Sequence, residues 1–161
     1  MTGKEWLDGP GGRSIEQLIE LEDSCRIDSI VVAIEESLMA KADMTPSEEI
    51  VLAVEAMERE VNNGGFEQFF LNSSYEYAPI LVAALQKIGA SQTASIANRA
   101  MRVLGAGADW SPERYEEVTS EADETVLEEL RACDDAYYAA GEAIAEKLFG
   151  FIKANQADIV V

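Results

Sequence analysis

Histidine is absent from the 161 residues of this chain, and that absence removes the usual imidazole base and the commonest metal ligand together. A serine or cysteine nucleophile would have no imidazole to activate it. Cysteine occurs twice, as Cys25 and Cys133, too far apart in sequence for a paired C-x-x-C site, so both read as buried thiols. Bases are also few: 12 Lys and Arg face 31 Asp and Glu, for a formal net charge of −19. A chain so charged cannot release counterions from phosphate, which excludes direct nucleic-acid binding, and it is repelled by an anionic membrane surface. No run approaches the ~18 consecutive apolar residues of a spanning helix. The start, from Met1 to Trp6, has acid early and no apolar stretch, so no secretory signal is read and a cytoplasmic location is expected. No cofactor is implied.

What the sequence does have is helical periodicity. Hydrophobic residues make up 48%, enough for one sizeable core. Residues 1–13 hold Gly3, Gly9, Pro10, Gly11 and Gly12 and read as a flexible arm; residues 14–161 read as a single domain. Ile27, Ile30, Val31, Ile34 and Leu38 recur at three- and four-residue steps. Thr45, Pro46 and Glu48 supply an N-cap, a first-turn proline and a capping box for a helix that Asn62-Asn63-Gly64-Gly65 should stop. Pro79 opens a further helix, Ser91 is expected to cap another, and Ser111-Pro112-Glu113 starts a third. A last helix is expected from about Asp134 to Asn155, with Tyr137, Ala140, Ile144, Leu148, Phe151 and Ile152 inward. No strand of convincing length alternates. The fold class is therefore all-α, a bundle of six to eight helices.

Charge is segregated along the chain. Residues 1–60 carry 15 acids and 5 bases, residues 61–110 carry 3 of each, and residues 111–161 carry 13 acids and 4 bases. The acidic thirds are expected to own the surface. Two sets of carboxylates are candidates for outward rows. One is Glu35, Glu36 and Asp43 with Glu48, Glu49 and Glu55. The other is Glu113, Glu116, Glu117, Glu121, Asp123, Glu124, Glu128 and Glu129, with Glu142 and Glu146 on the last helix. Acids one helical turn apart are ~6 Å apart along the axis, whereas phosphates of one DNA strand step ~3.4 Å in rise and farther along the curved backbone. High net charge also serves solubility alone, so acidity by itself does not assign a role.

The most specific string is Val61-Asn62-Asn63-Gly64-Gly65-Phe66-Glu67-Gln68-Phe69-Phe70-Leu71-Asn72-Ser73-Ser74. Two glycines after a helix let the backbone turn, and Phe66, Phe69 and Phe70 can then enter the core. The amides of Asn63, Gln68 and Asn72 are suited to the helix-end groups such a turn exposes. A binding role for those amides stands beside this structural one. The string resembles the signature of the DNA-mimic protein family, whose members mostly lack an assigned function. The preceding capped acidic helix, the following Pro-started helix and the late aromatic helix agree with it, over roughly residues 27 to 155.

The resemblance implies an acidic, non-enzymatic interaction protein. Its partner would be a basic DNA-binding protein, a repressor or nucleoid protein, whose DNA-binding face it occupies, so that transcription is modulated indirectly. No catalytic residues come with the family. Its acidic positions are scattered, and the oligomeric state, monomer or dimer, stays open. Two alternatives remain: a protein-binding or scaffold domain with incidental acidity, and a Mg²⁺-dependent all-α nucleotide hydrolase. The latter would draw on acid pairs three apart, Glu55 with Glu58, Glu113 with Glu116 and Glu121 with Glu124. No basic cradle for phosphate accompanies those pairs.

Overall fold

A computed structural model describes residues 3–161. Eight α-helices are formed among the described residues: α1 (Ile15–Ile19), α2 (Ile27–Met39), α3 (Pro46–Leu71), α4 (Ala78–Lys87), α5 (Ser91–Val103), α6 (Pro112–Ser120), α7 (Glu124–Ala140) and α8 (Ile144–Ala154). Short 3-10 turns at Glu20–Asp23, Ser73–Tyr77 and Gln156–Asp158 link some of them. Among the described residues the one β-type pairing is an isolated bridge between Glu5 and Cys25, so the class is all-α. The helices gather into two units. One holds the residues up to Glu55 together with Ala143–Val161, and the other holds Ala56–Glu142.

In the first unit α2 packs on α8 and α1 on α2. Ile30, Ile34 and Leu38 of α2 and Leu148 and Ile152 of α8 are fully buried, as the three- and four-residue spacing requires. The Gly-rich start, expected to be a flexible arm, is tied down at Glu5. Its N–H donates to the Ser24 carbonyl at 2.9 Å and its carbonyl accepts from Arg26 N–H at 2.8 Å. Leu7 N–H adds a bond to the Ser29 hydroxyl at 3.0 Å. The capping box of α3 forms as expected: Glu48 N–H donates to Thr45 Oγ1 at 3.2 Å, and Thr45 N–H to Glu48 Oε2 at 3.0 Å.

In the second unit α5 packs on α4 and α7, and the aromatic letters of the motif form the centre. Phe66, Phe69 and Phe70 are fully buried, with Phe69 edge-on to Phe70 at 5.3 Å and Phe70 stacked on Tyr115 at 5.7 Å. The helical ladder of α3 is broken where the sequence called for a stop. Gly64 leaves the helical region, and Gly65 takes φ +80°, a left-handed value that side chains resist.

Two helix expectations need correction. The single helix from Asp134 to Asn155 is two, α7 and α8, because Gly141 adopts φ 55° and ψ 32° and caps α7 in the left-handed conformation. Ser91 does not cap α5; it is the first helical residue, and the cap position is Ala90, with no side-chain bond.

Candidate acidic surface and motif turn

The candidate carboxylates divide sharply by environment. Glu35, Glu48 and Glu55, expected in an outward row, are instead buried. Glu48 is wholly enclosed. It accepts from Lys41 Nζ at 2.6 Å and Val160 N–H at 2.8 Å besides its capping bond. Burial pushes its carboxyl up, but Lys41 and the two backbone donors outweigh that and hold it below the usual carboxylate range. Glu48 is an internal tie between the start of α3 and the C-terminal tail. Glu35 lies on the buried flank of α2, four residues after Val31 and three before Leu38. Glu55 sits where α3 is buried all round, from Val51 to Met57. Glu36, Asp43, Glu49 and Glu146 of the same unit are exposed.

The second set keeps its outward placement almost entirely. Glu113, Glu117, Glu121, Asp123, Glu124, Glu128 and Glu129 are exposed and Glu116 half-buried. Glu113, Glu117 and Glu121 follow one another at four-residue steps and so share one side of α6, spanning ~12 Å of axis. Glu124 and Glu128 repeat that step on α7. Two bases moderate the rows: Arg114 bonds Glu117 at 3.0 Å and Arg131 bonds Glu124 at 2.8 Å, both exposed pairs of small energetic weight. Asp123 doubles as the N-cap of α7, accepting from Val126 N–H at 3.0 Å. Glu142 does not lie on the last helix. It stands in the turn after Gly141, where its Oε1 accepts from Thr93 N–H at 2.9 Å and Thr93 Oγ1 at 2.7 Å. It thereby satisfies an open donor in the first turn of α5 that the expected Ser91 cap leaves free.

The motif turn is built around internal carboxylates. Glu60 is buried and accepts from Gln68 Nε2 at 2.6 Å, Asn72 Nδ2 at 2.9 Å and Ser74 Oγ at 3.0 Å. Burial raises its carboxyl, and the three side-chain donors, with the charge of Arg59, more than reverse that. The amides of Gln68 and Asn72 therefore serve a buried charge and not the helix-end groups expected of them. Asn62 turns back to the Glu58 carbonyl at 2.6 Å and reaches the Tyr137 hydroxyl at 3.1 Å; its neighbours Asn63 and Gly64 are exposed, as is Ser73.

Gly65 lets the chain pass against α7. Phe66 N–H donates to Asp134 Oδ1 at 2.8 Å, and a Cβ on Gly65 would lie 2.2 Å from Asp134 Oδ2. Burial lifts the Asp134 carboxyl above its ordinary range despite that bond. Beside it, Tyr137 donates its hydroxyl proton to Glu58, and burial raises both groups. Nothing in the sequence spacing pairs Glu58 with Tyr137 or Phe66 with Asp134, so distant are they along the chain.

A family model described as DMP19-like protein matches residues 42–155. The chain belongs to the DMP19-like, DNA-mimic family. No curated protein and no solved structure matched. For this DMP19-like chain the carboxylate pairs considered for Mg²⁺ are differently disposed: Glu55 is buried and Glu58 is engaged by Tyr137. Among the described residues no three His, Cys, Asp or Glu are placed to hold a metal ion. Nor is any helix there long and apolar enough to cross a membrane.

Proposed function

We propose that this protein is a non-enzymatic cytoplasmic DNA mimic that binds a basic DNA-binding protein, a repressor or nucleoid protein, and thereby modulates transcription. Its carboxylates take the place of phosphates, and the α6–α7 rows are the face that does so. One observation carries the reading: in a DMP19-like chain, Glu113, Glu116, Glu121 and Glu129 present carboxylates that enter no ion pair or side-chain hydrogen bond among the described residues. Rows of like charge repel one another, and a surface rich in Lys and Arg relieves that repulsion. Helices hold the charges at fixed steps, so shape is imitated as well as sign.

Affinity capture from the native cell at two salt concentrations, followed by competition with duplex DNA, tests this. The captured protein should bind DNA, leave the complex as salt rises, and be displaced by added DNA, because contacts between exposed charges are screened over ~10 Å at 0.1 M. A partner indifferent to both salt and DNA would replace mimicry with a scaffold role.

A further inference from the structure

Beside the α6–α7 rows lies an open cleft of about 350 Å³, lined by Val103 and Leu104 at the end of α5, Val118 and Ala122 around the end of α6, and Val126 in the first turn of α7. Its volume falls within the ~300–1,000 Å³ of ordinary ligand pockets. The remaining lining residues are Arg114, Glu121 and Asp123. Arg114 lines the cleft with its charge already met. Its guanidinium bonds Glu117 at 3.0 Å and lies 5.5 Å from the centre of the Trp110 ring. Asp123 spends one carboxylate oxygen on the cap of α7, and the Glu121 carboxylate takes part in no hydrogen bond or ion pair among the described residues. The cleft therefore sets aliphatic side chains beside two acids and one arginine whose charge Glu117 already meets.

That combination fits neither a phosphate-like surface nor plain solubility, because imitation of DNA needs no apolar hollow. We propose that the cleft receives one aliphatic side chain from a basic amphipathic helix of the protein partner, while a lysine or arginine one turn along that helix meets Glu121 and Asp123. The proposal rests on the α6–α7 face being the partner-facing surface. Charge complementarity joins the aliphatic part of the lining here: an amphipathic helix presents its anchor and its cations at three- and four-residue steps, the spacing over which Val118, Glu121 and Ala122 lie on this chain. The rows steer the partner by charge, and the anchor supplies the part of the affinity that salt does not screen.

The test uses the full chain and two synthetic helical peptides of equal positive charge, one with a single central leucine and one with alanine there. The leucine peptide should bind about tenfold more tightly at 0.3 M NaCl, in line with burying one aliphatic side chain. Ala122→Trp, which fills the cleft, should abolish that preference and leave the alanine peptide's affinity within twofold. If Ala122→Trp melts well below the parent, Val126→Ser, which makes the floor polar without filling it, decides in its place. Equal binding of the two peptides by the parent would overturn the cleft assignment and leave the acidic surface standing. A preference that survives both variants in folded form would overturn it too, as would one that emerges only on dilution of the protein, which would put a second copy in the cleft. Failure of both peptides to bind even at low salt would instead sink the DNA-mimic reading on which the inference rests.

Discussion

The hydroxyl of Tyr137 on α7 donates a hydrogen bond to the carboxylate of Glu58 on α3, joining residues 79 positions apart in the chain. The same oxygen accepts from Asn62 Nδ2, so a single phenol links a helix, the motif turn and a half-buried acid. Tyr137→Phe removes both bonds and leaves Glu58 desolvated without its donor. Stability should fall by about 1–2 kcal/mol in urea unfolding. An unchanged midpoint would mean that water serves Glu58 equally well.

Glu58 and Asp134 set a pH dependence. Burial raises the carboxyls of Glu58 and Asp134, so the folded chain takes up protons where the unfolded chain does not. Stability should therefore rise as pH falls from neutral toward the ordinary carboxylate range, helped by easing of the −19 self-repulsion. Glu48 and Glu60 are held low, and their contribution is present above the ordinary carboxylate pKa and lost as pH falls through their folded values. The melting temperature should peak near a mildly acidic pH of ~5, between the two windows. A scan from pH 8 to 3 that declines throughout would contradict these signs.

The two motif glycines should differ under substitution. Gly65→Ala forces a side chain to φ +80° and drives its Cβ into the Asp134 carboxylate, breaking the bond to Phe66 N–H. A loss of about 3 kcal/mol is expected. At Gly64 the added Cβ meets the Gln68 side chain, which can rotate away at the expense of its bond to Glu60, for a loss of about 1 kcal/mol. Equal midpoints for the two variants would refute the distinction.

Acids on the surface and acids in structural roles should separate in one experiment. Replacing Glu121, Glu128 and Glu129 together with Gln should leave the fold as stable or slightly more so, while weakening binding to a basic partner about tenfold at low salt. Glu142→Ala should do the reverse. It strips the donors of Thr93 of their acceptor, lowers stability by about 1 kcal/mol, and leaves partner affinity unchanged. Parallel thermal melts and calorimetric titrations read both effects.

Local chemistry was the legible part of this chain. Thr45, Pro46 and Glu48 announce the start of α3, and Gly64-Gly65 its break, because caps and left-handed turns depend on residues a few positions apart. Gly141 escaped because apolar spacing continues across it from Ala140 to Ile144, masking a break made by the backbone alone. The fate of individual acids was less legible. Glu48 is claimed by Val160, 112 positions away, and no local pattern carries that information. For Glu35 a signal existed: it falls in step with Val31 and Leu38, on the side of α2 that the apolar spacing already marked as inward. Glu113, Glu117 and Glu121 are exposed, and no apolar stripe coincides with them in the sequence.

The enclosure of Glu60 has a consequence for how this motif can drift. Its three donors lie eight, twelve and fourteen residues downstream, and an apolar residue at 60 would orphan the buried hydroxyl of Ser74 while stranding the Gln68 amide. Kin that lack the glutamate should thus be found to have exchanged those polar neighbours in concert, so a recognition pattern for such chains gains discrimination by reaching upstream of the asparagines to include it.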